Sequence, residues 1–164
     1  MTDNPTSGSV LCQACGLCCQ GQLHSWVPLL PHEVALAQSW PVEMVTYEAV
    51  GGFKLPCGCF QEQRCSVYAH RPQTCVNYRC QLLRGLEQGE ISQAVARERV
   101  AQARGLFERL QERLPPATGK RIWERIAERW DLTSLRSSLA SGEIDSETLM
   151  AIVALNVLLT KHFR

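Results

Sequence analysis

The chain has 164 residues, 45% apolar and 20% charged, enough to bury one ordinary core or to pair a small module with a helical extension. Its 17 basic residues are balanced by 16 acidic ones, and no basic tail or stripe stands out, which argues against nucleic acid as a primary partner. No apolar run reaches the roughly 18 residues that cross a bilayer; the nearest, Leu149 to Leu159, is interrupted by Asn156, so a soluble chain without a membrane partner is expected.

Residues 1–9 are rich in Ser, Thr, Pro and Gly and read as a disordered tail. They show neither the cationic region nor the apolar run of an export signal, which predicts a cytoplasmic protein. Next comes Cys12-Gln-Ala-Cys15-Gly16-Leu-Cys18-Cys19, placing four of the nine cysteines within eight residues. The others are Cys57, Cys59, Cys65, Cys75 and Cys80, so none lies in the second half. Disulfides fit a reducing compartment poorly, and adjacent cysteines with an odd total fit a disulfide framework poorly too. Metal ligation is the chemistry that this confinement favours over disulfides or simple burial.

In Cys12-x-x-Cys15-Gly16 a tight turn would bring two sulfurs to one metal, with Gly16 free to take the positive φ that turns the chain away. Neighbouring side chains diverge, so Cys18 and Cys19 either serve different metals or divide between ligation and packing. Eight thiolates would fill two tetrahedral sites or one bridged cluster, leaving Cys57 or Cys59 spare. Zinc and iron both accept thiolates. The bacterial ferredoxin run, with three residues before its fourth cysteine and a proline after it, is absent.

Leu23 to Val27 reads as a short strand, and Pro31 opens a helix through Ala37 that ends by Pro41. Val42 to Val50 is rich in β-formers, Gly51-Gly52 suits a two-residue turn, and Phe53-Lys54-Leu55 would return toward Cys57. His24 and His32 read as surface or capping residues, given the supply of thiolates. Pro72 marks a second helix start, with Cys75 in an early turn. Cys75 and Cys80, five residues apart, face different directions on one helix unless it breaks near Cys80; otherwise the helix runs through Leu82, Leu83 and Leu86 to a stop at Gly89. Arg71 is the cation best placed to balance a thiolate centre, with Arg64, Arg79 and Arg84 as weaker candidates; Tyr68 either donates its hydroxyl near the site or packs.

From Ile91 a helical stripe of Ala96, Val100, Ala103, Phe107, Leu110 and Leu114 runs to the break at Pro115-Pro116. A second helix carries Ile122, Trp123, Ile126, Ala127 and Trp130 on one face, the tryptophans reading as core rather than a ligand shelf. The last begins near Asp145, a cap flanked by an Ile144–Leu149 staple. Its broad apolar coverage makes it either central to a bundle or a contact to another protein, with Asn156 a candidate specificity residue.

The pattern C-x2-C-x2-C-C, then Pro56-Cys57, then Cys65-Ser-Val-Tyr68-Ala-His-Arg71-Pro72-Gln-Thr-Cys75 and Cys80, resembles the YkgJ-like CxxCxxCC family of zinc- or iron-chelating proteins over about residues 10–85. By that resemblance Cys12, Cys15, Cys18, Cys19, Cys57, Cys65, Cys75 and Cys80 take the family's cysteine positions, while Cys59 falls outside them. The resemblance implies metal binding more firmly than any reaction, although some relatives are flagellin lysine methylases.

The expected architecture is α+β, mainly α: a cysteine-rich module at residues 10–88 packed on a helical region at residues 89–164. The expected function is thiolate chelation of zinc or iron in one or two centres, structural or metal-handling, with Arg71 and Tyr68 beside the metal. The competing expectation is an enzyme, using an iron–sulfur cluster for redox chemistry or transferring methyl groups. The chain shows no H-E-x-x-H base motif and no glycine-rich cofactor loop between a strand and a helix. A protein partner for the helical half is left open.

Overall fold

The protein is represented by a computed structural model that describes residues 7–117, 119–130 and 135–164. Helices dominate and two small antiparallel sheets accompany them, the mainly helical α+β class expected from the sequence. Helix α1 (Ser7–Cys15) begins within the stretch expected to be a disordered tail; the rest of that tail lies outside the described residues. The helix is held because Leu11 is buried with Leu17 in the main core, and because Gly8, lacking a Cβ, lets the helix close on Leu83 and Glu87.

The three-stranded sheet runs β1 (Trp26–Pro28), β3 (Val50–Lys54), β2 (Met44–Tyr47), antiparallel throughout. Helix α2 (Pro31–Ala37) follows β1; its Glu33 Oε2 accepts the Leu30 backbone N–H at 2.8 Å, satisfying a donor ahead of the first turn. The hairpin forms, but the turn is not Gly51-Gly52. Glu48 and Ala49 make it, at φ 49° and 67°, while both glycines lie inside β3. Packing overrides turn propensity here: Phe53 must reach the smaller core beside Val27 and Leu55, and a Cβ on Gly52 would strike the Val27 carbonyl and the Trp26 ring.

A miniature hairpin, β4 (Phe60–Gln61) with β5 (Arg64–Cys65), leads into α3 (Gln73–Asn77) and α4 (Gln81–Glu87). The helix that could have run unbroken from Pro72 to Gly89 is therefore two. Tyr78 and Cys80 are extended, at ψ 131° and 164°, so Cys75 and Cys80 sit on separate helices. Gly89, at φ 75°, is the expected stop.

Helix α5 (Gln93–Arg113) starts at Ser92, whose hydroxyl accepts the Val95 N–H, and buries Ala96, Val100, Ala103, Phe107 and Leu110 as its stripe predicts. Helices α6 (Ile122–Arg129) and α8 (Ser146–His162) complete the main core, and α7 (Leu135–Ala140) lies against α8. Trp123 donates to the Gln22 carbonyl at 3.2 Å and Trp130 to that of Glu143 at 3.1 Å; both pack in the core. Asp145 caps α8 by accepting the Thr148 N–H at 2.9 Å, and Ile144 and Leu149 on either side of it pack into the core. The same core takes Leu11, Leu17 and Leu82, through which the cysteine-bearing half packs on the helices. Among the described residues, no helix is long and apolar enough to cross a membrane.

Candidate metal centre

Helix α1 presents Cys12 and Cys15 three residues apart and so on one face, at its last turn rather than in the tight turn expected. The reversal comes at Gly16, whose N–H donates to the Cys12 carbonyl at 3.2 Å. Its φ is 63°, and a Cβ there would run into the Phe60 ring. The following turn delivers Cys18 on the same side, and the break before α4 brings in Cys80. These thiols border a cavity of about 50 Å³ against Leu11, Leu17 and Phe163 of the main core.

Cys19, which also lines this small cavity, shares a cavity of about 340 Å³ with Cys57, Cys65 and Cys75, walled by Trp26, Trp40, Phe53 and Phe60. The Cys57 N–H donates to the Cys19 carbonyl at 2.8 Å, so these two residues are tied through the backbone. Cys75 is positioned by its own helix start: the Gln73 N–H donates to Glu33 Oε1 at 2.7 Å, and Thr74 Oγ1 donates to the Pro28 carbonyl at 2.8 Å. Cys12, Cys18 and Cys19 border both cavities.

The thiols act on one another across both cavities. Burial first, then Cys15, Cys80, Cys12 and Cys19, push the Cys18 thiol well above its ordinary value. Burial first, then Cys57, Cys75, Cys12 and Cys65, raise Cys19. Burial is also the leading cause for Cys15 and Cys57, each pushed up to about 12, and for Cys75, pushed up to about 11. Each of these groups resists becoming a thiolate unless positive charge arrives.

Some positive charge is built in. The Arg71 guanidinium lies 4.0 Å from the centroid of the Tyr68 ring, lines the large cavity and pulls down both Cys12 and Cys75. Arg79 acts on Cys12 but is engaged by Glu87 at 3.1 Å and the Val76 carbonyl at 2.6 Å. Arg64 and Arg84 are exposed. Arg104, absent from the sequence-based candidates, donates to the Ala14 carbonyl at 3.0 Å and to Gln63 Oε1 at 2.9 Å, and it lowers Cys15. No sequence signal marked it, since it is one of many arginines along α5.

His24 lines the large cavity and meets the Tyr78 ring edge-on at 4.6 Å; exposed His32, on α2, lines neither cavity. Cys59 is 1% exposed and also lines neither; its carbonyl accepts from the Ser66 N–H at 2.9 Å and Oγ at 3.2 Å. Among the described residues, no three His, Cys, Asp or Glu side chains converge closely enough to grip one ion as they stand. The sulfurs instead ring the two cavities, each one χ1 rotation from another position around its Cβ. The donor set suits a thiophilic metal: clustered, mostly half-buried thiols with several cations and few carboxylates.

Residues 11–100 match the profile of the CxxCxxCC family, described as a putative zinc- or iron-chelating domain. The matched span exceeds half the chain and extends into α5. No curated protein and no solved structure matches.

Proposed function

Starting from this chain's membership of the CxxCxxCC family, which makes it a metal-chelating protein, we propose that it holds metal at two four-thiolate centres. The first takes Cys12, Cys15, Cys18 and Cys80; the second takes Cys19, Cys57, Cys65 and Cys75. The observation that carries this reading is that Cys15 and Cys80 line only the smaller cavity and Cys57, Cys65 and Cys75 only the larger, with Cys12, Cys18 and Cys19 between them. Cys12 is assigned to the first centre because it shares a helix face with Cys15. Cys59 is left as a buried apolar residue.

The two centres have different surroundings. The first joins α1 to the start of α4 against the main core and acts as a structural clamp, contributing folding free energy where metal replaces apolar packing. The second fronts the larger cavity and is the one suited to metal handling. Arg71, steadied on Tyr68, offsets thiolate charge at both, because its field reaches Cys12 and Cys75. The width of the second cavity supports an alternative occupant, an iron–sulfur cluster serving redox chemistry, since a cluster spans more space than a single ion.

Anaerobic purification, elemental analysis and an absorption spectrum test the proposal. A colourless protein with about two zinc equivalents is expected for two tetrathiolate sites. Visible absorption with acid-labile sulfide would replace zinc by the cluster reading. Absence of bound zinc and iron would overturn both.

A further inference from the structure

Helix α8 is apolar on both faces, but only one is covered. Ala151, Ile152, Leu155 and Leu159 enter the main core, whereas Met150 is 67% exposed, Val153 46% and Val157 56%. A helix that is hydrophobic all round is normally buried all round. Along the outer face Glu147, Met150, Ala154, Val157 and Lys161 follow one another at intervals of three and four, the spacing of a helix–helix seam. The seam is acidic at its start, basic at its end and small at its middle.

We propose that this face is covered by α8 of a second copy of the chain, packed antiparallel about a two-fold axis at Ala154. The charges choose both the partner and the direction. In an antiparallel pair Lys161 of one copy meets Glu147 of the second copy, and the reverse pair forms at the other end. A parallel pair would set lysine against lysine and glutamate against glutamate. Among the described residues Lys161 has no carboxylate partner. Glu147 is already bridged to Arg113 at 2.5 Å, but its side chain remains 69% exposed and has acceptor capacity left. Ala154 at the axis lets the two backbones approach, and Met150 and Val157 interleave on either side of it. The symmetry is the isologous arrangement usual for homodimers. One helical seam is small for a protein interface, so the dimer belongs to the reversible, concentration-dependent class.

Sedimentation velocity of the metal-loaded full chain, over about 1–200 µM, tests this. A dimer growing with concentration is expected. Met150→Glu with Val157→Glu should leave a monomer with unchanged circular dichroism, because both positions are exposed. Lys161→Glu should weaken association by about tenfold or more through like-charge contact, and adding Glu147→Lys should restore it. A zero-length carbodiimide link between Lys161 and Glu147 reports the geometry directly: within one chain they stand about 21 Å apart along the helix, so only two copies can join them. A wild type that stays monomeric throughout overturns the proposal, as does a dimer that survives the Met150/Val157 change. A dimer indifferent to both charge variants overturns the antiparallel arrangement.

Discussion

The backbone N–H of Cys57 donates to the carbonyl of Cys19 at 2.8 Å. Through this bond the last residue of the C-x2-C-x2-C-C run fixes the first cysteine of the later set, while Cys18, one residue earlier, borders the cavity of Cys15 and Cys80 as well as the larger one. In the proposed two-centre assignment the motif is a branch point between two groups of thiols.

Removing one ligand from each group should separate them. Cys15→Ser and Cys75→Ser are each expected to lower bound metal from about two equivalents to about one, because each tetrahedral site loses a thiolate. Cys59→Ser should retain both. Elemental analysis after anaerobic purification is the measurement; loss of all metal from either single variant would mean one bridged cluster instead of two sites.

Arg71 supplies charge to Cys12 and Cys75 while resting on Tyr68. Arg71→Ala should weaken metal retention by about 10- to 100-fold, the range for losing a group that supports a metal's ligands. Arg71→Lys should rescue only part of this, since lysine keeps the charge but not the planar guanidinium that stacks on the ring. A chelator competition compares the three, and equal affinities would remove Arg71 from the site.

Two glycines should respond to alanine with opposite signs. A Cβ on Gly58 would collide with the Pro41 carbonyl oxygen, which is backbone and cannot swing away. Gly58→Ala is therefore expected to cost about 1–3 kcal/mol and to disturb neighbouring Cys57. Gly105 sits within α5 with nothing within 4 Å of the added Cβ, and Gly105→Ala should stabilise by about 0.5–1 kcal/mol. Urea unfolding at fixed metal loading measures both.

The cap of α8 gives a pH test. Hydrogen bonds from Thr148 hold the Asp145 carboxyl below its ordinary 3.8. The unfolded chain then binds the proton more readily, so the stabilisation is fully present above that ordinary value and is lost as pH falls through the lower folded one. Asp145→Ala should lower the thermal midpoint at neutral pH, and its difference from wild type should vanish in strong acid. Asp145→Asn, which keeps an acceptor, should fall between them. A constant gap between wild type and Asp145→Ala across the titration would show that the charge makes no contribution.

The sequence by itself determined what depends on near neighbours. The stripe from Ala96 to Leu114 is the buried face of α5, Asp145 caps α8, and Gly16 and Gly89 end helices, because helical period, cap chemistry and left-handed backbone are written within a few residues. The cysteine spacing likewise pointed to the family whose profile the chain matches. The tertiary structure decided the rest. Gly51 and Gly52 became strand because Trp26 and Val27 close over Gly52, and the chain broke at Tyr78, separating Cys75 from Cys80. Arg104 joined the site through Ala14 and Gln63, partners remote in sequence. Which thiols face one another is likewise set by the packing of α1, α3, α4 and β5 around two cavities, a long-range outcome that local spacing leaves open.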